Sequence, residues 1–251
     1  MMKENDDLKN KVAIITGASG GIGSATAFDF ARNGASGIII ADIDKEKALK
    51  VISSIEKSSS CKCIFVNTNI GKVPDIRNLF EIATAEFKKL DILVNCAGIC
   101  DTFSIDEVNE EQWDRLMAIN LRGTYLCCRE AFKIMQKQKY GKIINISSIS
   151  GRIGGLVTGI DYVTSKGAII AMTMSLAKIA GLFNINVNAV APGFIDTEMT
   201  KNYTHFNAET VPLRRIGKPQ DVATVITFLA SEKSSYITGS TIDVNGGVFM
   251  S

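Results

Sequence analysis

Seven short β-rich runs constrain this chain most: KVAIIT, GIIIAD, CIFVNT, DILVNC, KIINIS, INVNAVA and STIDV. They are near-continuous apolar runs with no polar alternation, the pattern of strands buried on both faces of a parallel sheet. Between them stand helix-period segments such as ATAFDFARNG, KEKALKVISSIEK, DIRNLFEIATAEFKKL and QWDRLMAINLRGTYLCCREAFKIMQKQ. Parallel strands need crossover connections, so the alternation predicts an α/β fold: a doubly wound, seven-stranded parallel sheet with helices on both faces. A chain of 251 residues suits one domain of this class. That domain is expected at 11–251, behind a polar extension, MMKENDDLKN, at 1–10. The one long irregular stretch, 193–219, reads as a functional loop, since long loops in compact domains are seldom idle.

Composition closes off several functions. A net charge of +2, with Lys and Arg scattered, leaves no electrostatic footprint for nucleic acid or an anionic membrane. The polar start lacks the apolar core of a signal peptide, and no apolar run reads as long enough to span a membrane. Six cysteines, Cys61, Cys63, Cys96, Cys100, Cys127 and Cys128, show no disulfide framework. With a single histidine, His205, they offer no metal site either. Reduced thiols in a cytoplasmic protein are expected, with a small molecule as the ligand.

The first strand runs into IITGASGGIGSATAFDFARNG. Glycines at 17, 21 and 23 allow a sharp turn and let backbone N–H groups approach a pyrophosphate at a helix N-terminus. Gly17, Ser19, Gly21, Ile22 and Gly23 are therefore candidate cofactor contacts. The second strand ends at Asp42, followed by Ile43. A carboxylate about twenty residues past the glycines can accept from ribose hydroxyls and would repel a 2′-phosphate. NAD(H) is favoured on this ground, with NADP(H) as the alternative.

Tyr162 and Lys166 are spaced i, i+4 in DYVTSKGAIIAM, so they share a helix face. A free phenol has a pKa near 10. Bringing it to about 7 takes roughly 4 kcal/mol, which a cation about 4 Å away supplies at an effective dielectric near 20. Burial works against that shift.

The spacing TG-x-x-x-G-x-G is not the usual G-x-G-x-x-G. At this point the chain resembles the short-chain dehydrogenase/reductase family. NCAG at 95–98, INISS at 144–148, YVTSK at 162–166, APGFIDT at 191–197 and ITGSTIDVNGG at 237–247 agree with it in order. The resemblance runs from about Lys11 to Gly247 and implies a Rossmann fold binding a nicotinamide cofactor. It makes Tyr162 the general acid/base and has Lys166 lower the Tyr pKa and bind the nicotinamide ribose. Ser148 would hold the substrate oxygen, and Asn120 a water that relays protons from Lys166. Asn69, Ile70, Asn95, Ala97 and Gly98 would line the adenosine side. Pro192, Gly193, Ile195 and Thr197 would flank the nicotinamide, and 193–219 would be a substrate lid. His205 in that lid reads as a solvated loop residue.

The chain departs from the family pattern in places. Cys96 replaces the usual second Asn of its motif, and Asn69 stands where an Asp is common. One extra residue separates Ser148 from Tyr162, expected to bulge in GRIGGLVTGI, with Ser147 as the alternative serine. The resemblance also implies a homotetramer. GAIIAMTMSLAKIAG, apolar around much of its circumference, and the apolar end of VNGGVFM fit that state.

The leading reading is an NAD(H)-dependent oxidoreductase interconverting a secondary alcohol and a ketone. The alternative is a 3-oxoacyl-[acyl-carrier-protein] reductase using NADPH, whose branch VPLRRIGKPQDVA resembles. Asp42 counts against it, as does Phe183, which stands where that branch often carries a basic residue. A non-catalytic nucleotide-binding protein is disfavoured by the intact Asn, Ser, Tyr and Lys set. The walls at 99–109, 149–161 and 194–212 leave the substrate open.

Overall fold

All seven β-rich runs become strands of one sheet. The computed structural model describes residues 6–155, 158–201 and 207–250. The strands are β1 (Val12–Thr16), β2 (Gly37–Asp42), β3 (Lys62–Asn67), β4 (Ile92–Asn95), β5 (Gly141–Ile146), β6 (Ile185–Pro192) and β7 (Thr241–Val244). They lie in the order β3-β2-β1-β4-β5-β6-β7, every pair parallel. Strand order reverses between β1 and β4. That switch point opens a crevice at the carboxyl ends of the strands, the usual ligand site of such sheets.

The helices are α1 (Gly21–Arg32), α2 (Lys45–Glu56), α3 (Val73–Phe87), α4 (Glu110–Met117), α5 (Thr124–Gln138), α6 (Ser150–Ile153), α7 (Ile160–Ala180) and α8 (Pro219–Ala230). Two apolar cores sandwich the sheet, which is why the strands carry no polar alternation. Phe30, Ile52, Ile55, Val222 and Ile226 from α1, α2 and α8 pack with Ile38 and Ile40 in one core. Leu79, Phe80, Cys127, Met135 and Ala177 from α3, α5 and α7 pack with Ile14 and Ile39 in the other. Each fully buried Ile contributes about 1.5–3 kcal/mol over leaving it in water.

The helical run expected from QWDRLMAIN onward is broken. Residues Ala118–Gly123 form a π-helical turn between α4 and α5, and such bulges tend to mark functional sites. Gly123 explains its closeness to the neighbouring loop: a Cβ there would stand 2.4 Å from the Ile70 carbonyl oxygen.

A second difference concerns α7. With the 3-10 turn that follows, Ile160–Phe183 has a mean hydropathy of 1.4 and is long and apolar enough to cross a membrane by length and composition. The expectation that no segment reaches that length is corrected. Asp161, Lys166 and Lys178 interrupt the run in sequence and hide its length. The helix packs on β6 and buries Ile169, Ala177 and Ala180. Its other side leaves Met174 and Ile179 exposed, as is Leu182 just beyond.

At the start of the chain, residues 6–10 of the expected extension are described. Leu8 is fully buried in the α1–α2 core, and its N–H donates to the Asn33 carbonyl. In the 193–219 stretch, Ile195 bridges to Gly217 and Val211 is buried. His205 lies outside the described residues.

Candidate active site

The glycine turn is built on close backbone approach. Gly17 adopts φ +67°, and a Cβ on it would stand 2.7 Å from Ala97 Cα. A Cβ on Gly23 would stand 2.1 Å from the Gly17 carbonyl oxygen. Ala97 is held opposite the turn because its N–H, like that of Cys96, donates to Thr16 Oγ1, at 3.2 and 3.1 Å. No side chain caps the start of α1, where Gly20 is the N-cap. The first-turn N–H groups are thus available to an anion. Thr197 folds over the same turn: its Cγ2 lies 3.5 Å from where a Gly21 Cβ would be. This cradle fits a dinucleotide pyrophosphate. Ile22 packs against the core instead of lining it.

Asp42 closes the cradle. Its carboxylate accepts from Ser19 N–H at 2.9 Å, Ile43 N–H at 2.7 Å and Asp44 N–H at 3.0 Å. One carboxylate thus ties the glycine turn to the end of β2, with its charge at the ribose position. Ile43 beside it is 68% exposed, an apolar surface open to an adenine ring. Nearby Lys47 is engaged by Glu198 at 2.8 Å and Asp44 at 3.6 Å.

Several expected cofactor contacts point elsewhere. Asn95 is buried, and its amide donates to Asn145 Oδ1 at 2.9 Å and Cys128 Sγ at 3.2 Å. Its side chain therefore ties β4 to β5 and α5, away from the cleft. Asn69 Oδ1 is taken by the Gly71 N–H at 2.9 Å in a local turn. Ile70 is buried, with its carbonyl against Gly123. Pro192 ends β6, and Gly193 N–H donates to the Val244 carbonyl at 2.9 Å. Ile195 is buried by its bridge to Gly217, so any contact from it to a nicotinamide is main-chain.

The four expected catalytic residues do converge. The π turn presents Asn120, fully buried, to the end of β4. Its amide donates to the Ile99 carbonyl at 2.8 Å and to Ser165 Oγ at 3.2 Å, and its oxygen accepts from Ile99 N–H at 2.9 Å. Gly98 makes room: a Cβ there would stand 3.2 Å from Asn120 Oδ1 and 3.5 Å from Lys166 Nζ. Lys166 Nζ donates to the Ile146 carbonyl at 2.9 Å and sits 5.6 Å from the Tyr162 ring centroid. α6 and α7 press together through Gly151, whose Cβ would meet the Lys166 carbonyl carbon at 2.6 Å.

The two adjacent serines separate cleanly. Ser147 Oγ donates to the Lys166 carbonyl at 2.7 Å. Ser148 Oγ accepts from Ser150 N–H at 3.1 Å and stands near enough to the Tyr162 phenol to act against the rise in its pKa. Ser148→Ala is expected to lower kcat about 10²–10³-fold. Ser147→Ala is expected to cost about 1 kcal/mol of stability with turnover largely kept. Steady-state kinetics and urea unfolding of both variants check this, and the reverse pattern would reassign the serine.

Electrostatics correct one expectation. Burial raises the Tyr162 pKa above its ordinary value, and Cys100 adds to the rise, against the hydrogen bond from Ser148. Burial also pushes Lys166 down to about 8, although Cys96 and Cys100 raise it. In the protein alone, desolvation thus outweighs the ammonium, whose hydrogen bond goes to Ile146 and not to the phenol. Cys96 itself is pushed up to about 12, mainly by burial.

Sequence reasoning missed Thr16, Ile99, Ser165 and Gly151. Thr16 adjoins the glycine motif and Ser165 lies within YVTSK, so both were in view. The parts of Ile99 and Gly151 rest on main-chain proximity, which leaves no sequence signal. Among the described residues, no group of three or more His, Cys, Asp or Glu could hold a metal.

A pyrophosphate cradle and a Ser, Tyr, Lys, Asn cluster at one switch point define a dinucleotide-dependent oxidoreductase. A family model described as Enoyl-(Acyl carrier protein) reductase matches residues 17–249. The chain belongs to the short-chain dehydrogenase/reductase family, and its cofactor is a nicotinamide dinucleotide. It is 40% identical over 245 residues to the 3-oxoacyl-[acyl-carrier-protein] reductase FabG of Thermotoga maritima, covering 96% of this chain and 98% of that protein. The Aquifex aeolicus protein of the same name is 39% identical over 246 residues, 96% and 98% of the two chains. Among solved structures, a short-chain type dehydrogenase/reductase from Mycobacterium marinum superposes with a TM-score of 0.93 at 31% identity, covering 99% of both chains. A 3-oxoacyl-[acyl-carrier protein] reductase from Brucella melitensis gives 0.92 at 29% identity, covering 100% of this chain and 95% of that one.

Proposed function

We propose that this enzyme reduces the ketone of a 3-oxoacyl thioester to the 3-hydroxyacyl product, the substrate expected of the alternative and not of the leading reading. The observation that carries it is the 40% and 39% identity, over nearly the whole chain, to proteins named for that reaction. When bound, the nicotinamide supplies or accepts the hydride, and its oxidised ring adds a positive charge. Tyr162 delivers its phenolic proton to the oxygen of the reduced carbonyl. Ser148 donates a hydrogen bond to that same oxygen as charge develops on it. Lys166 binds the ribose and favours the phenolate once proton transfer begins. Asn120 holds the end of β4 in place and positions a relay water that joins Lys166 to solvent. The 193–219 stretch closes over the substrate and excludes water.

For the cofactor, we favour NADH because Asp42 places a carboxylate where a 2′-phosphate would have to sit. A second reading, an NAD-linked dehydrogenase for another secondary alcohol, draws on the same carboxylate and on Phe183. Reduction of an acetoacetyl thioester and a panel of unrelated ketones, each with NADH and NADPH, separates them. Efficient thioester reduction is expected, and turnover confined to other ketones would favour the second reading. Asp42→Asn should shift the ratio of kcat/KM values about tenfold or more toward NADPH, since it removes a like-charge contact; an unchanged ratio would sink the carboxylate argument. We further propose one domain, a homotetramer built on the exposed apolar side of α7 and the apolar C-terminal end at Met250, and a cytoplasmic setting for the six reduced thiols.

A further inference from the structure

Beside Tyr162 stands a carboxylate that the proposed reaction does not use. Asp161 is 0% exposed. Its Oδ1 accepts from Tyr162 N–H at 2.8 Å, whereas its Oδ2 is buried with no partner. In the loop after β4, Asp101 Oδ2 is also buried and unpartnered. The two segments touch at Gly159, whose N–H donates to the Asp101 carbonyl at 2.9 Å. A Cβ on Gly159 would stand 2.5 Å from Asp161 Oδ1, 3.2 Å from the Asp101 carbonyl oxygen and 3.5 Å from the Phe103 carbonyl oxygen. Oxygens from three residues therefore gather around one glycine. Among the described residues neither carboxylate has an ion-pair partner, and the Cys100 thiol makes a weak contact to the Asp101 carbonyl at 3.8 Å.

Buried ionised carboxylates are costly unless paired or metal-bound. The N-terminus of α7 and the Tyr162 N–H answer Oδ1 of Asp161, which leaves Oδ2 of Asp161 and Oδ2 of Asp101 buried without a partner. We propose that Asp101 and Asp161, with the Asp101 and Phe103 carbonyls, bind a hard divalent cation of the Mg²⁺ or Ca²⁺ class. Carboxylate and main-chain carbonyl oxygens are the ligands such ions take. The ion ties the loop after β4 to the first turn of α7, and so holds one wall of the substrate cleft against the helix that carries Tyr162. Nothing in the hydride chemistry depends on it.

Thermal unfolding of the full chain tests this, after EDTA treatment and then with MgCl₂, CaCl₂, NaCl or KCl at constant ionic strength. A saturable rise in Tm with Mg²⁺ or Ca²⁺ is expected. It corresponds to a roughly hundredfold shift in the folding constant when the ion exceeds its Kd about a hundredfold. Asp161→Asn and Asp101→Asn should each abolish it; Asn keeps the acceptor for Tyr162 N–H, and the second variant serves if the first folds poorly. The two divalent arms decide which ion is bound. A response to Na⁺ or K⁺ alone, an equal rise in the variants, or no rise in the wild type would overturn the site. So would an Asp161→Asn protein that is more stable in EDTA and indifferent to cations, the outcome expected if the two carboxyls share a proton.

Discussion

Tyr162→Phe is expected to lower kcat about 10²–10⁴-fold while NADH binding, read by fluorescence quenching, stays near wild type. The ring keeps its place at the first turn of α7, and only the proton donor is lost. In the proposed reading cofactor affinity rests on the glycine turn, Asp42 and Lys166, none of which touches the phenolic oxygen in the described contacts. Direction matters for the pH profile. Burial holds the Tyr162 pKa above its ordinary value, so the phenol stays protonated through neutral pH and stands ready as the acid for ketone reduction. Alcohol oxidation needs the phenolate, so its rate should climb with pH over the same range. A Phe variant that keeps near wild-type turnover in both directions would remove Tyr162 from proton transfer.

The sheet was legible because strands buried on both faces leave continuous apolar runs, and KVAIIT or GIIIAD can hardly be read otherwise. That Asn120, Ser148, Tyr162 and Lys166 gather at one cleft was legible because each sits in a motif whose order along the chain is distinctive. The motif of Asn95 was read both toward the adenosine and as stabilising the sheet, and the amide takes the second part, since sequence gives a residue's place on β4 but not the face its side chain takes. One step in the strand's alternation turns that amide toward Asn145. The π turn at Ala118–Gly123 leaves no mark in composition, and the close approach of Gly123 to the Ile70 carbonyl that goes with it is a main-chain contact. The shift of the Tyr162 pKa was read with the wrong sign in the protein alone. Spacing puts Lys166 on the same face, but spacing cannot show that its ammonium is spent on the Ile146 carbonyl. The length of α7 was hidden by Asp161, Lys166 and Lys178, which interrupt its apolar run in sequence.

Lys166→Met should change how stability depends on pH, and this separates the buried cation from any general loss of packing. The folded lysine titrates near 8 and the unfolded one near 10.5. Between those values the unfolded chain binds more protons, so wild-type stability is expected to rise with pH across that window. Below pH 8 the buried ammonium costs the full difference, about 3 kcal/mol. Methionine carries no charge and lacks this rise. Its loss of the hydrogen bond to the Ile146 carbonyl costs about 1–3 kcal/mol, which offsets most of the gain at neutral pH. The two effects still part company, because the lost hydrogen bond is independent of pH and the lost charge is not. Urea unfolding at several pH values should therefore show wild type gaining up to about 3 kcal/mol on the variant between pH 7 and 10. Parallel curves would mean that Lys166 titrates like an exposed lysine. Turnover of the variant should fall with that of Tyr162→Phe. A lysine that burdens the fold at neutral pH fits the part proposed for Lys166 in the reaction.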